Sequence, residues 1–153
     1  MIRCTSGTTS SHNRFIFQSP RGILCRLQWM RSLLTPLSIQ ALSSFAATGF
    51  IDCLTILLDA ITLHRCLVIP DYELLCRPSS LYQLLSNQQS SEFLLRATPS
   101  MLALICKGKD PLPIKLTIHL SGELLSVRLL QILQKGFPEA QLLNVYGGRM
   151  KNN

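Results

Sequence analysis

Apolar side chains recur at Ile23, Leu24, Leu27, Met30, Leu33 and Leu34, steps of one, three and four that gather them on one face of a helix. Ser19-Pro20 marks the start of that helix, because the N–H that proline lacks would be unpaired at the first helical position anyway. Thr35-Pro36 ends it. Residues 37–49, rich in Ser and Ala and closed by Gly49, have room for one short strand. Asp52 is placed to cap a second helix. Its interior, Cys53–Leu63, is apolar almost all round, so the pattern predicts a short helix buried inside protein. Cys66-Leu67-Val68-Ile69 reads as a strand stopped by Pro70. A helix carrying Leu81, Leu84 and Leu85 starts at Ser79 or Ser80, and Phe93-Leu94-Leu95 reads as another strand.

Thr98-Pro99-Ser100 repeats the capping signal, with Thr98 as cap and Pro99 opening a helix that runs to Cys106. Lys107–Pro113 is a loop by composition, and Ile114–Leu120 is β-branched enough for a strand. Ser121-Gly122-Glu123 makes a turn, Leu124–Lys135 is an amphipathic helix, and Gly136 stands where helices stop. Gln141–Val145 is the last short strand, followed by Tyr146-Gly147-Gly148. Residues 11–18 read as irregular. Short apolar strands alternating with helices imply strands buried on both faces and joined by crossovers. The class is α/β with a mostly parallel sheet.

The chain has 153 residues, 47% of them apolar and 15% charged, with a mean hydropathy of +0.27. That is one domain's length and enough apolar material for a core. No apolar run reaches the ~18 residues of a membrane span, since Cys53–Pro70 is interrupted by Asp59, His64 and Arg65. Net charge is +7 but unevenly spread: residues 1–51 hold five arginines and no acid, and the remainder is nearly balanced. An acid-free, Arg- and Ser-rich segment has the composition of an organellar transit arm. Nucleic acid is disfavoured, because the arginines form no dense cluster and match no binding motif. The six cysteines are separated by ten residues or more, too far apart for zinc or redox spacing. Reduced, mostly buried thiols in an intracellular, preferably cytoplasmic, protein are expected.

Candidate chemistry starts with Thr5-Ser6-Gly7-Thr8-Thr9-Ser10, where five of six residues carry a hydroxyl. Backbone amides of such a turn, with hydroxyls beside them, suit phosphate oxygens; a solvated terminus has the same composition. In parallel α/β sheets ligands bind beyond the carboxyl ends of the strands. Thr5–Ser10, Ser121-Gly122-Glu123 and Tyr146-Gly147-Gly148 are all placed to face one crevice there. Strand ends also use Gly and Ser simply to turn the chain. His12, His64 and His119 lack a Cys, Asp or Ser partner in a recognisable relay, and His64 and His119 read as packed or strand-edge residues. Asp52 and Asp59, seven apart, share a helix face, with Asp52 the better cap. No Walker loop, nucleophile elbow or Rossmann glycine set is present.

Taken in order, Thr5-Ser6-Gly7-Thr8-Thr9, Thr98-Pro99-Ser100, Gly122-Glu123 and Asn144-Val145-Tyr146-Gly147 resemble the adenylate-forming enzymes: acyl-CoA synthetases, acyl-activating enzymes of the aminoadipate-semialdehyde-dehydrogenase type, and peptide-synthetase adenylation domains. The likeness runs from Cys4 to Gly147 and covers the central part of the large N-terminal domain. The resemblance implies that residues 1–153 are a partial AMP-binding domain. It also implies that Thr5, Ser6, Gly7, Thr8 and Thr9 hold ATP phosphates. Ser121, Gly122 and Glu123 then lie along the adenine, and Asn144, Tyr146 and Gly147 form the next element, with Tyr146 stacked on the ring. Phe50-Ile51-Asp52 matches, more loosely, a stretch near the acyl pocket. In that family ATP and a carboxylic acid give an acyl-adenylate, captured as a thioester by coenzyme A or a carrier-protein thiol, with magnesium present.

Departures are as specific as the matches. Where the family continues with a glycine and Pro-Lys-Gly, this chain reads Ser10-Ser11-His12-Asn13-Arg14. Asn13 replaces the phosphate-binding lysine, although Arg14 is a cation beside it. Gly148 and Arg149 follow Gly147 where the family has a threonine and then the magnesium-holding glutamate. Ribose-binding and catalytic segments are expected beyond Asn153. The expectation is therefore a ligase fragment inactive on its own. The alternative is a non-catalytic paralogue or interaction module that oligomerises through exposed core surface. A third option makes residues 1–51 a targeting arm on a smaller domain.

Overall fold

The computed structural model describes residues 2–4, 15–17, 19–45, 51–87 and 92–145. A two-stranded antiparallel pair, β1 (Ile2–Cys4) and β2 (Phe15–Phe17), opens the chain, with Ile2 opposite Phe17. Residues 15–17 are thus a strand and not irregular, because Phe-Ile-Phe is strong β sequence once a partner is supplied. Helix α1 (Pro20–Leu34) follows, and its Ser19 cap accepts from the Gly22 N–H. A 3₁₀ turn over Thr35–Leu37 leads to β3 (Ala41–Ser44). Next come α2 (Ile51–Leu63), β4 (Cys66–Val68), the single turn α3 (Tyr72–Leu75) and α4 (Pro78–Ser86). The order closes with β5 (Phe93–Ala97), α5 (Pro99–Cys106), β6 (Thr117–Leu120), α6 (Val127–Gly136) and β7 (Gln141–Asn144).

Strands β3 to β7 form one five-stranded, all-parallel sheet in the order β4-β3-β5-β6-β7. Its central strand explains the architecture. In β5, Leu94 and Leu95 are both wholly buried, yet successive side chains of a strand point to opposite faces. Each face therefore needs its own cover. Leu94 and Leu42 meet Met30 and Leu34 of α1 and Ile56 and Ala60 of α2. Leu95 and Ile118 meet Leu81, Leu102 and Leu133 of α4, α5 and α6. The result is a helix–sheet–helix sandwich, in which each buried leucine contributes roughly 1.5–3 kcal/mol.

Local chemistry shifts several expected boundaries. Ser126, rather than the turn residues before it, caps α6 by accepting from the Leu129 N–H, so that helix starts at Val127. Gly136 is the last helical residue and Phe137 the C-cap. Its glycine is required by packing: a Cβ there would stand 2.5 Å from Cys106 Sγ, at the contact of α6 with α5. Helix α4 begins at Pro78, one or two residues before the expected start at Ser79 or Ser80. Thr98 does cap α5, accepting from the Met101 N–H, with Pro99 opening the helix. The thiols are more open than expected: Cys25, Cys66 and Cys76 are exposed, Cys53 and Cys106 half-buried, and all five are free. Burial still pushes the Cys106 thiol up to about 11. Among the described residues no helix is long and apolar enough to cross a membrane.

Candidate functional site at the carboxyl edge of the sheet

Parallel strands end together, and the chain beyond β5, β6 and β7 converges at one edge. The Ser121 N–H donates to the Ala97 carbonyl and the Val145 N–H to the Leu120 carbonyl, so the three strand ends are tied in register. Gly122 follows with φ +89°, in the left-handed region open to glycine at little cost. A Cβ at Gly122 would meet Thr98 Cγ2 at 3.3 Å, so the missing side chain is what lets the two turns approach closely. Glu123 reaches back across this contact, its Oε1 accepting from the Ser100 N–H at the start of α5. A carboxylate at that position satisfies an otherwise orphaned amide and the positive end of the helix. Gly122 and Asn144 are exposed here, Glu123 is half-buried, and Ser121 is buried.

Beneath this edge, α2 turns charged groups inward. Asp52, Thr55 and Asp59 fall on one helix face by spacing, and that face meets the sheet. Asp52 lies in the first turn of α2 and not at the cap. Its carboxylate accepts from Arg26 Nη2 and from Ser121 Oγ, both at 2.9 Å. Arg96, one residue before the carboxyl end of β5, is wholly buried. It donates from Nη2 to Asp59 Oδ2 at 2.8 Å and from Nη1 to Thr55 Oγ1 at 2.9 Å and the Asp52 carbonyl at 3.2 Å. Its Nε donates to His119 Nδ1 at 2.7 Å. Every guanidinium nitrogen is thereby used, which is what a buried arginine requires.

The electrostatics follow from that geometry. Burial pushes the Asp59 carboxyl above its ordinary value and Arg96 below its own, and their mutual bond opposes both shifts. His119 is driven down to about 3 by burial and by the cations Arg96 and Arg26. It is therefore neutral with its proton on Nε2, since Nδ1 accepts from Arg96. Among the described residues that Nε2–H is buried without a partner, as is Arg26 Nε.

The structure therefore brings together Ser121, Gly122, Glu123 and Asn144, at the ends of adjacent strands. Thr5, Ser6, Gly7, Thr8, Thr9, Tyr146 and Gly147 lie outside the described residues, as does Phe50. Of the two histidines described, His119 is packed within the sheet, while His64 sits exposed at φ +53° in the turn before β4. Arg96 was the residue the sequence pattern concealed. An arginine inside Phe-Leu-Leu-Arg-Ala between parallel neighbours must have an internal partner, and the paired aspartates of α2 were the matching signal.

This five-stranded parallel sheet with its two helix layers shares its fold with part of several solved structures. Three solved structures illustrate the match. CmiS6 superposes with a TM-score of 0.77 at 17% identity, over 96% of this chain and 34% of its own. The O-succinylbenzoate coenzyme A synthetase MenE from Bacillus subtilis, in complex with ATP and magnesium ion, gives 0.71 at 18%, over 95% and 29%. The nonribosomal peptide synthetase FmoA3, in its AMPPNP-bound form, gives 0.74 at 14%, over 96% and 16%. The chain thus spans about a third or less of each of these proteins. No family model matches the chain, and no curated protein matches it by sequence. At these identities the shared property is the fold.

Proposed function

We propose that this chain is the nucleotide-holding central layer of a ligase that activates a carboxylic acid with ATP to an acyl-adenylate and then a thioester. One observation carries the proposal: residues matched in sequence to the adenine-side segment, Ser121, Gly122, Glu123 and Asn144, converge at the carboxyl edge of a sheet whose fold is that of an ATP-bound ligase. Gly122, exposed and without a side chain, would let a flat ring lie against its backbone, and the exposed Asn144 amide suits the ring's polar edge. Thr5, Ser6, Gly7, Thr8 and Thr9 would meet the phosphates, and Tyr146, with Gly147 beside it, would supply the stacking face. The nucleotide itself, when bound, supplies the activated phosphorus. Coenzyme A or a carrier-protein thiol is the acceptor in this proposal.

Magnesium does not fit the described residues. Among them no cluster of three His, Cys, Asp or Glu side chains exists. Asp52, Asp59 and Glu123 are already engaged by Arg26 and Ser121, by Arg96 and by the Ser100 N–H. With Asn13 in place of the loop lysine and Arg149 in place of the metal carboxylate, the chain is proposed to bind nucleotide and not to turn it over. Purified chain is expected to retain AMP on equilibrium dialysis and to release no pyrophosphate from ATP with any carboxylic acid. Carboxylate-dependent pyrophosphate release would refute the inactivity, and absence of AMP retention would refute the nucleotide site. The same departures favour the second reading, a non-catalytic paralogue that keeps the fold as an interaction module.

A further inference from the structure

Helix α2 turns its carboxylates toward the sheet. Leu54, Leu57, Leu58 and Ile61, spaced i, i+3, i+4, i+7, lie on its other side, and Leu57 and Ile61 are exposed, so the expectation of an all-round buried helix is corrected. The two inward carboxylates have different partners. Asp59 is spent on Arg96, and both are buried. Asp52, about two turns nearer the start of the helix, stands at the carboxyl edge of the sheet. There its Oδ1 accepts from Arg26 Nη2 and its Oδ2 from Ser121 Oγ, both at 2.9 Å. Arg26, from α1, thus fixes the carboxylate through one oxygen, and the other oxygen holds the residue that precedes Gly122.

The turn after β6 is thereby held from both helix layers. Ser121 is bound through its hydroxyl to α2 on one face of the sheet, and Glu123 is bound through the Ser100 N–H to α5 on the other. Between the two bonds stands Gly122, at φ +89°. A glycine has more conformational freedom to lose than any other residue, and freedom lost when a ligand arrives is subtracted from its affinity. A tether made before binding removes that loss. The bond to Asp52 joins residues 69 apart, so the local sequence of the turn does not supply it when Asp52 is replaced.

We propose that Asp52, oriented by Arg26, is a positioning residue for the Gly122–Glu123 turn and, through it, for the nucleotide; this rests on the reading of that turn as the adenine-side edge. Asp52 acts through Ser121 and not on the ligand itself. Two variants separate this role from a merely structural one. Asp52→Leu and Asp52→Asn both lose the ion pair with Arg26, which at 29% exposure still reaches water. Both also lose the negative charge in the first turn of α2, so their melting temperatures should fall by similar amounts. Only the asparagine keeps an oxygen that accepts from Ser121. In equilibrium dialysis Asp52→Leu should hold AMP about tenfold more weakly than wild type, the scale of fixing one backbone residue, and Asp52→Asn should stay within about threefold. Ser121→Ala, which keeps the Arg26–Asp52 pair and loses only the tether, should match Asp52→Leu. A second readout needs no ligand: in amide spectra of isotope-labelled chain, Asp52→Leu should displace the Gly122 and Glu123 signals and Asp52→Asn should leave them near their wild-type positions. Wild-type affinity in Asp52→Leu, equal losses of affinity in the leucine and asparagine variants, or undisplaced Gly122 and Glu123 signals in Asp52→Leu would overturn the proposal. Wild-type chain that retains no AMP would instead refute the nucleotide reading, and the ligand-free spectra would still decide whether Asp52 sets the turn.

Discussion

Asp59→Leu is expected to leave Arg96 as a buried cation without a counter-charge. Both side chains are essentially inaccessible, at 1% and 0% exposure, and only 2.8 Å separates Nη2 from Oδ2. Breaking a buried pair from one side costs about 3–5 kcal/mol. At about 2–4 °C per kcal/mol for a chain of this length, the melting temperature should fall by roughly 6–20 °C. Adding Arg96→Met removes the stranded charge. What then remains is the loss of a donor to His119 Nδ1, about 1–3 kcal/mol for one buried acceptor. Thr55 keeps a partner in the Asp52 carbonyl at 3.3 Å. The double variant should therefore be more stable than Asp59→Leu alone by about 2 kcal/mol, and urea melts of wild type, both single variants and the double should give a coupling energy of about 3 kcal/mol or more. Additivity within about 0.5 kcal/mol would refute the reasoning, because it would mean that Asp59 and Arg96 do not depend on one another.

Acid should weaken the fold through His119. Its folded value is about 3 against an ordinary 6.5, so between these limits the unfolded chain binds a proton that the folded chain does not. Stability therefore falls as pH drops through that window, by up to about 5 kcal/mol at about 1.36 kcal/mol per unit. Asp59, whose carboxyl is raised, acts in the opposite sense, because the folded state protonates it first. His119→Gln, which cannot titrate, should flatten the profile between pH 6.5 and 3, and superimposable profiles for the two proteins would contradict this assignment. Gly136→Ala should cost about 1–3 kcal/mol by overpacking, because its Cβ would stand 2.5 Å from Cys106 Sγ and 3.0 Å from Cys106 Cβ. Cys106→Ala should recover part of that loss in thermal melts, and no recovery would place the strain elsewhere.

Much of the fold is legible in the sequence, and for stated reasons. Apolar runs such as Phe93-Leu94-Leu95, bounded by Thr98-Pro99, announce a buried parallel strand and the capped helix after it. The Ser19-Pro20 start sets α1 in the same way. What stayed hidden is long-range pairing. Phe15–Phe17 becomes a strand only because Ile2–Cys4 lies beside it. Asp52 looks like a cap when read locally, and only the fold shows its carboxylate bound to Ser121, 69 residues away. Spacing had put Asp52 and Asp59 on one face, but not which side of α2 meets the sheet, and so the open leucine stripe was unforeseen. At the candidate site, Ser121, Gly122, Glu123 and Asn144 do lie where the strand ends converge.

The most direct test is an amide chemical-shift titration of isotope-labelled chain with AMP. The proposal predicts saturable shifts concentrated at Ser121, Gly122, Glu123 and Asn144, with none at Gly108, Lys109 and Lys135, which line a separate cleft where α5 and α6 end. Shifts confined to that second cleft, or no saturable shifts at all, would contradict a nucleotide site at the carboxyl edge of the sheet.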